Sequence, residues 1–253
     1  MSGWLRVVGL GPGDPRLTTP EASETLAAAS DLYGYAPYVG RVALAPGQRA
    51  HPSDNREELD RARAALARAA EGGRVAVVSS GDPGVFAMAA AVFEAIEAGP
   101  PAWRALDVAV SPGVTAMLAA AARAGAPLGG DFCAINLSDN LKPAAVIETR
   151  LRLAAEADFA MALYNPASRA RPEGFARALA TLRACRPATL PVTFARAVST
   201  AEERVETVPL AAATPAMADM RTLVLVGSTR TRLVRRADGR AWVYSPRSLA
   251  AVS

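Results

Sequence analysis

Residues 74–96 read RVAVVSSGDPGVFAMAAAVFEAI, and they combine three features of one structural unit. Residues 74–79 are a short, valine-rich apolar run, which predicts a buried strand. The loop GDPG follows at 81–84, and the apolar side chains from Phe86 to Ile96 are spaced as on a helix. A strand that passes through a tight loop into a helix predicts an α/β fold with a mostly parallel sheet.

The same unit recurs on both sides of this segment. Residues 4–8 predict a strand that leads into GLGPGD at 9–14, and residues 106–110 predict one that leads into SPGVT at 111–115. Strands and helices alternate again beyond residue 130, and the later strands predict a more mixed sheet. The further strands are predicted at 132–137, 159–163, 190–194, 203–208, 222–226 and 242–244. The further helices are predicted at 20–29, 116–124, 144–155 and 173–184, together with an Arg/Ala/Leu-rich helix that follows Asp54 and ends at Gly72.

Local signals predict where some elements begin and end. Thr18 with Glu21, and Asp54 with Glu57, have the spacing of a capping box at a helix start. The glycine pair at 72–73 predicts the end of the second of these helices, because glycine takes the left-handed conformation of a cap without strain. The glycine- and proline-rich stretch GAPLGG at 125–130 is typical of a passage between domains.

Composition excludes several classes of protein. The chain has 253 residues, of which 51% are hydrophobic, yet no apolar run approaches the ~18 residues of a membrane span. We therefore predict no membrane partner. The first strand is predicted close to residue 1 without the pattern of an export signal, so we expect a cytoplasmic protein. Cys133 and Cys185 lack C-x-x-C spacing and His51 is the single histidine, which predicts core thiols and no metal site.

The net charge of +4 comes mainly from arginine. Such a charge suits either nucleic acid or a small polycarboxylate or phosphate ligand. Residues 57–63 mix acids and arginines as a solvated helix face does, and no nucleic-acid recognition motif is present. We therefore predict no nucleic-acid partner.

The three Gly/Pro loops are candidates for a binding site, because ligands of open α/β sheets bind outside the carboxyl ends of the strands. Turn geometry alone also requires glycine and proline, so one such loop is weak support. GLGPGD differs from a dinucleotide fingerprint, since Asp14 stands at the third glycine position and Pro12 removes an N–H donor. No Walker loop and no Gly-x-Ser-x-Gly elbow occurs. The remaining features fit methyl transfer from a sulfonium, which depends on positioning more than on acid–base groups.

Six motifs in order resemble the tetrapyrrole methylase family. Three of them are VVGLGPGD at 7–14, SSGDPGVF at 79–86 and SPGVTA at 111–116. The other three, INLSDNLKP at 135–143, LYNPASRAR at 163–171 and DMRTLVLVGS at 219–228, resemble the branch of the family that methylates C17 of precorrin-3B. The likeness covers nearly the whole chain.

The resemblance implies two α/β domains with a cleft between them, which we place at 1–115 and 116–253, and a homodimer. It implies S-adenosylmethionine as the methyl donor and precorrin-3B as the substrate, with ring contraction to precorrin-4 in cobalamin biosynthesis. The alternatives are cobalt-factor III of the anaerobic route, another corrin carbon, or a sensor that binds the cofactor or a tetrapyrrole without catalysis. The segments SDNL and YNPxSR point away from the diphthamide and ribosomal RNA methylases of the same family.

The resemblance also implies roles for individual residues. The implied cofactor contacts are Pro12, Gly81, Asp82, Val85, Thr115, Ala116, Tyr164, Asn165, Ala197 and Thr222. Asp14 and Asp82 are the catalytic candidates, although Asp14 suits a turn cap equally well. The candidate substrate contacts are Ser138, Asp139, Arg169 and Arg171, the arginines because a guanidinium binds carboxylates in a bidentate way.

Two positions depart from the family pattern. Ala197 and Ser228 stand where relatives commonly carry asparagine. Either change could alter the affinity for the cofactor or be neutral, and Ala197 and Thr222 could also serve packing alone.

Overall fold

Contacts divide the computed structural model into two units, Met1–Thr115 and Ala116–Ser253. A parallel sheet of five strands forms the centre of the first unit. The structure describes residues 3–167 and 173–248. The strands are β1 (Trp4–Gly9), β2 (Asp31–Tyr35), β3 (Arg49–Ser53), β4 (Arg74–Ser79) and β5 (Asp107–Ser111), in the order β3-β2-β4-β1-β5. All these pairings are parallel, so β4, β1 and β5 end side by side at one edge of the sheet.

Helices lie on both faces of this sheet. α1 (Pro20–Ala28) and α2 (Ala36–Val39) pack on one face, and α3 (Glu58–Ala70) and α4 (Met88–Ala98) pack on the other. Alternate residues of a strand point to opposite faces. Val75 and Val77 of β4 therefore join the core under α3 and α4, whereas Val78 joins the core under α1 and α2. Burial on both faces explains why β4 is apolar throughout.

The second unit contains a mixed sheet. Its elements are α5 (Ala116–Ala124), β6 (Gly125–Ala126), β7 (Phe132–Asn136), α6 (Ala144–Glu156), β8 (Ala160–Tyr164), α7 (Gly174–Cys185), β9 (Pro191–Arg196), β10 (Arg204–Pro209), β11 (Thr222–Val226), β12 (Arg232–Arg235) and β13 (Ala241–Tyr244). The sheet order is β10-β9-β11-β8-β7, in which β7 and β8 are parallel and the other neighbours antiparallel. A small sheet joins β12, β13 and β6.

The predicted α/β class is confirmed, and the strands at 74–79 and 222–226 and the helix at 116–124 agree residue for residue. Four strands, β2, β3, β6 and β12, were not predicted. The stretch 125–130 is not a passage between the two units, because Gly125 and Ala126 form β6 and pair with β13 inside the second unit.

The capping predictions are partly wrong. Thr19, rather than Thr18, caps α1, and its Oγ1 accepts a hydrogen bond from Ala22 N at 3.1 Å. The Thr18 hydroxyl instead donates to Leu10 O at 3.3 Å, since Thr18 still belongs to the preceding turn. For α3, the Glu57 carboxylate accepts from Asp54 N at 3.0 Å as predicted, but the helix begins only at Glu58.

A buried carboxylate ties β2 to its surroundings. Asp31 is 1% exposed and lies 2.9 Å from His51 Nε2 and 3.1 Å from Arg68 Nε. Burial alone would raise the pKa of the Asp31 carboxyl, but the hydrogen bonds to its oxygens outweigh burial and lower the pKa. The single histidine of the chain therefore has a structural partner.

Asp31→Asn is expected to lower the free energy of unfolding by about 2–4 kcal/mol at neutral pH, because Arg68 and His51 lose their carboxylate. A carboxyl whose pKa is lowered by folding stabilises fully above its unfolded pKa of about 3.9, and this contribution is lost as pH falls through the folded pKa. The variant should therefore lose less stability than the wild type between pH ~5 and pH ~2 in urea titrations. Asp60→Asn is the control, since the Asp60 side chain is 79% exposed. Equal acid sensitivity of wild type and Asp31→Asn would contradict this assignment.

Candidate functional site

Three loops of the first unit meet at the carboxyl edge of its sheet, and we call residues 9–14, 80–86 and 112–115 the loop cluster. Gly11 N donates to Gly81 O at 3.2 Å, and Gly81 N donates to Gly11 O at 2.9 Å. The Asp82 carboxylate accepts from Gly84 N at 2.8 Å and from Gly113 N at 3.0 Å. The first loop is thus bonded to the second, and the second to the third.

The glycines of the loop cluster are required by this close approach. A Cβ on Gly113 would lie 2.2 Å from Gly81 O, and a Cβ on Gly9 would lie 2.7 Å from Gly113 N. Backbone meets backbone at these points, so no side chain can be accommodated. The contacts hold the three loops in one arrangement before any ligand binds, which favours tight and specific binding.

The structure places the predicted residues of the first unit as follows. Pro12 and Val85 are half-buried in the first and second loops, and Thr115 is 5% exposed at the end of the third. Asp14 caps a short 3-10 helix, Pro15–Leu17, and its Oδ1 accepts from Arg16 N at 2.9 Å. The capping role of Asp14 is therefore observed, and its role in proton handling stays a prediction.

The positively charged Arg41 lies beside the loop cluster and was not predicted from the sequence. Arg41 follows α2, and its Nη2 donates to Leu10 O at 2.8 Å and to Gly11 O at 3.1 Å. Its Nη1 donates to Ser80 Oγ at 3.1 Å. Pairing of β2 with β4 brings the chain after Tyr35 to this edge, and β2 has no clear periodic pattern that would have revealed the approach.

Four predicted residues lie together with Asn136 at one edge of the mixed sheet in the second unit. We call Asn136, Tyr164, Asn165, Ala197 and Thr222 the strand-end cluster. β7 and β8 end in register, with Asn136 opposite Tyr164, and β9 ends where β11 begins, with Arg196 opposite Thr222. β8 also pairs with β11, so these ends fall on the same side of the sheet.

Hydrogen bonds connect the members of the strand-end cluster with their neighbours. Asn136 Oδ1 accepts from Asn165 Nδ2 at 3.0 Å and from Ser138 N at 2.9 Å. Tyr164 OH accepts from Met117 N at 3.1 Å, in the first turn of α5 that begins with Ala116. Asn136 was not singled out in the sequence, although it stands in the quoted segment at 135–143. Its amide links Ser138, a predicted substrate contact, to Asn165, a predicted cofactor contact.

Other predicted residues have partners of their own. Thr222 Oγ1 donates to Asp219 Oδ1 at 2.7 Å, which supports the start of β11. The Asp139 carboxylate lies 3.6 Å from Arg177 Nη2. Ser228 N donates to Thr231 Oγ1 at 2.9 Å inside the unit. The predicted substrate contacts Arg169 and Arg171 lie outside the described residues.

Two members of the strand-end cluster have left-handed backbone, Asn165 with φ of 52° and Ala197 with φ of 48°. Asparagine tolerates this conformation, whereas alanine is strained in it by roughly 1–2 kcal/mol. Such strain in residues other than glycine is concentrated at functional sites. This gives the departure at Ala197 a physical meaning, because an asparagine there would be less strained.

Ala197→Gly is therefore expected to raise the free energy of unfolding by about 0.5–1 kcal/mol, the relief of strain less the entropy that glycine adds to the unfolded chain. The matched control is Ala157→Gly, at an exposed residue with φ of −78°. That variant should lose stability instead, so opposite signs in urea unfolding are the expected result. Loss of stability in both variants would contradict strain at Ala197.

No helix within residues 3–167 and 173–248 has both the length and the apolar character needed to cross a bilayer. Within the same ranges, no group of three or more His, Cys, Asp or Glu side chains is arranged to hold a metal ion.

Comparison with known proteins defines the class. Residues 5–214 match the Tetrapyrrole (Corrin/Porphyrin) Methylases, and the chain belongs to this family. A precorrin-3B C(17)-methyltransferase of Sinorhizobium sp is 56% identical over 253 residues, which are 100% of each chain. The resemblance stated from the six motifs is thus confirmed.

Solved structures agree with this family. The crystal structure of the methyltransferase CobJ has 58% identity and a TM-score of 0.92, over 97% of this chain and 100% of that chain. A uroporphyrin-III C-methyl transferase from Thermus thermophilus, complexed with S-adenyl homocysteine, has 25% identity and a TM-score of 0.68. That match covers 89% of this chain and 92% of the other.

Proposed function

We propose that this chain transfers a methyl group from S-adenosylmethionine to C17 of precorrin-3B in cobalamin biosynthesis. The observation that carries the proposal is the loop cluster, in which three family motifs from distant parts of the sequence are bonded to one another. The identity of 56% with a full-length precorrin-3B C(17)-methyltransferase supports the choice of substrate and carbon. Ring contraction to precorrin-4 belongs to the proposal through the family resemblance.

Each cluster carries groups of the kind that this cofactor requires. They are backbone amides, hydroxyls and side-chain amides for hydrogen bonds, and small side chains that leave room for an adenosine or an amino acid moiety. When bound, S-adenosylmethionine supplies an electrophilic methyl group on a sulfonium whose leaving group is a neutral thioether. The residues that we propose to hold it are Pro12, Gly81, Asp82, Val85, Thr115 and Ala116 in the first group, and Tyr164, Asn165, Ala197 and Thr222 in the second.

The chain's own contribution is positioning. Alignment of donor and acceptor can account for much of the rate of a group transfer, and an error of about 1 Å can reduce it by roughly 100-fold. Both oxygens of Asp82 accept backbone N–H bonds, which favours a role in holding the second and third loops over direct proton transfer. Ser138, Asp139, Arg169 and Arg171 remain the proposed contacts of the substrate.

The proposal is tested by incubating the purified chain with S-adenosylmethionine and either precorrin-3B or cobalt-factor III. We expect precorrin-3B to be converted to a product heavier by one methylene group, as read from its mass and absorption spectrum. Preferred conversion of cobalt-factor III would move the function to the anaerobic route. Tight binding of S-adenosylhomocysteine without turnover of either substrate would indicate a sensor.

The homodimer and the cytoplasmic location stay predictions. Large apolar side chains such as Phe93 and Leu118 are each 50% exposed, and exposed apolar surface is typical of faces that bind another chain. Light scattering coupled to gel filtration should give the mass of two chains. The mass of a single chain at micromolar concentration would contradict the dimer.

A further inference from the structure

Arg41 is a cation at the ligand-binding edge that has no carboxylate within ion-pair distance in the described part of the chain. Its three hydrogen bonds go to the neutral oxygens of Leu10, Gly11 and Ser80. These oxygens belong to the loops after β1 and β4. The guanidinium is therefore fixed against two of the three loops of the loop cluster without being neutralised by them.

The guanidinium retains donors for a ligand. Nη2 is occupied by two carbonyl oxygens and Nη1 by one hydroxyl oxygen, so Nε–H and the second N–H of Nη1 have no acceptor among the residues that the structure describes. The residue is exposed to solvent. Partial desolvation lowers the pKa of Arg41, yet arginine stays protonated in proteins. A fixed, charged fork with free donors is suited to bind a carboxylate.

We propose that Arg41 binds a carboxylate of the ligand held at the loop cluster, an inference that rests on the proposed function. Two ligands of that function carry this group. One is the methionine part of S-adenosylmethionine, and the other is the macrocycle with its acetate and propionate side chains. The competing role is a clamp, in which Arg41 only ties the first loop to the second.

The test compares ligands that differ in the carboxylate. S-adenosylhomocysteine carries it, whereas 5′-methylthioadenosine has the same adenosine and thioether without the amino acid. The dissociation constant of each is measured by calorimetry for the wild type and Arg41→Gln, together with KM for precorrin-3B. A charge-assisted hydrogen bond lost from one ligand should weaken that ligand roughly 10- to 100-fold.

Arg183→Gln is the matched control, because the Arg183 guanidinium also donates to backbone carbonyls, those of Leu210, Ala211 and Ala213. These carbonyls follow β10, whose end pairs with the start of β9 and thus lies away from the strand-end cluster. This variant should bind all ligands as the wild type does.

Each outcome decides the inference. Weaker S-adenosylhomocysteine with unchanged 5′-methylthioadenosine assigns the carboxylate to the cofactor. Unchanged affinity for both, with a higher KM for precorrin-3B, assigns it to the macrocycle. Equal weakening of both adenosine ligands, or no change in any constant, overturns the proposal. Failure of the proposed function is distinct, since it would be seen as absent turnover in the wild type.

Discussion

Asp82→Ala is expected to reduce kcat/KM for methyl transfer by about 100-fold or more while the chain remains folded. The carboxylate joins two loops through Gly84 N and Gly113 N, and its removal leaves both amides without an acceptor. Each lost bond to a charged group is worth about 1.5–3 kcal/mol, enough to shift the loops from their positions. The core is not involved, so far-UV circular dichroism and a cooperative urea transition should be retained.

Comparison of Asp82→Asn with Asp82→Ala distinguishes the loss of the hydrogen bonds between the loops from the loss of the whole side chain. An asparagine keeps one oxygen acceptor and presents an NH₂ donor where the second amide needs an acceptor. We expect kcat/KM to fall by about 10-fold, a smaller loss than in Asp82→Ala. The loss should come from both a lower kcat and a higher KM. Wild-type kinetics in Asp82→Ala would remove Asp82 from the site.

Gly113→Ala is expected to weaken the binding of S-adenosylhomocysteine by about 10- to 100-fold. A Cβ at this position would lie 2.2 Å from Gly81 O and 2.9 Å from Gly9 Cα, which are backbone atoms that cannot turn away. The loops must move apart to make room for the alanine side chain. Overpacking of this kind costs about 1–3 kcal/mol of free energy. Calorimetry measures the affinity, and urea unfolding measures the loss of stability.

Gly40→Ala is the matched control for Gly113→Ala. Gly40 ends α2 in right-handed helical conformation, with φ of −62°, and the atom nearest to an added Cβ would be Ala36 O at 3.5 Å. The methyl group therefore meets only ordinary van der Waals contact, and affinity should be unchanged. Equal affinities of Gly113→Ala and Gly40→Ala would show that the close approach of the loops is irrelevant to binding.

Several features of the fold could be predicted because local and tertiary signals agree. β4 is apolar throughout and is bounded by Gly73 and by the loop at 81–84, so its limits were predicted correctly. α5 and β11 likewise have continuous apolar faces. The three loops could be expected to meet, since the carboxyl ends of parallel strands lie at one edge of a sheet.

β2 and β3 could not be predicted from their patterns. β2 reads DLYGY, in which Gly34 takes the place of an apolar side chain because a Cβ would lie 2.5 Å from Val78 Cγ2. β3 reads RAHPS and is an edge strand of the sheet. Its proline is tolerated because one side of β3 pairs with no strand among the residues that the structure describes. Because β2 and β3 were not predicted, the position of Arg41 beside the loop cluster could not be predicted either.

Four members of the strand-end cluster were predicted by resemblance alone, and Asn136 was not predicted. Tyr164, Ala197 and Thr222 come together through the register of β8, β9 and β11, which depends on antiparallel pairing across distant parts of the chain. No local pattern reports that register. Positive φ at Ala197 is equally invisible, because alanine is not a residue that favours this conformation.

The most direct measurement of the central claim uses S-adenosylmethionine labelled with ¹³C in its methyl group. The chain is incubated with this donor and precorrin-3B, and the carbon that receives the label is identified by NMR. We predict one new labelled methyl group, attached to C17. A label on another carbon of the macrocycle, or intact precorrin-3B beside unreacted donor, would contradict the account.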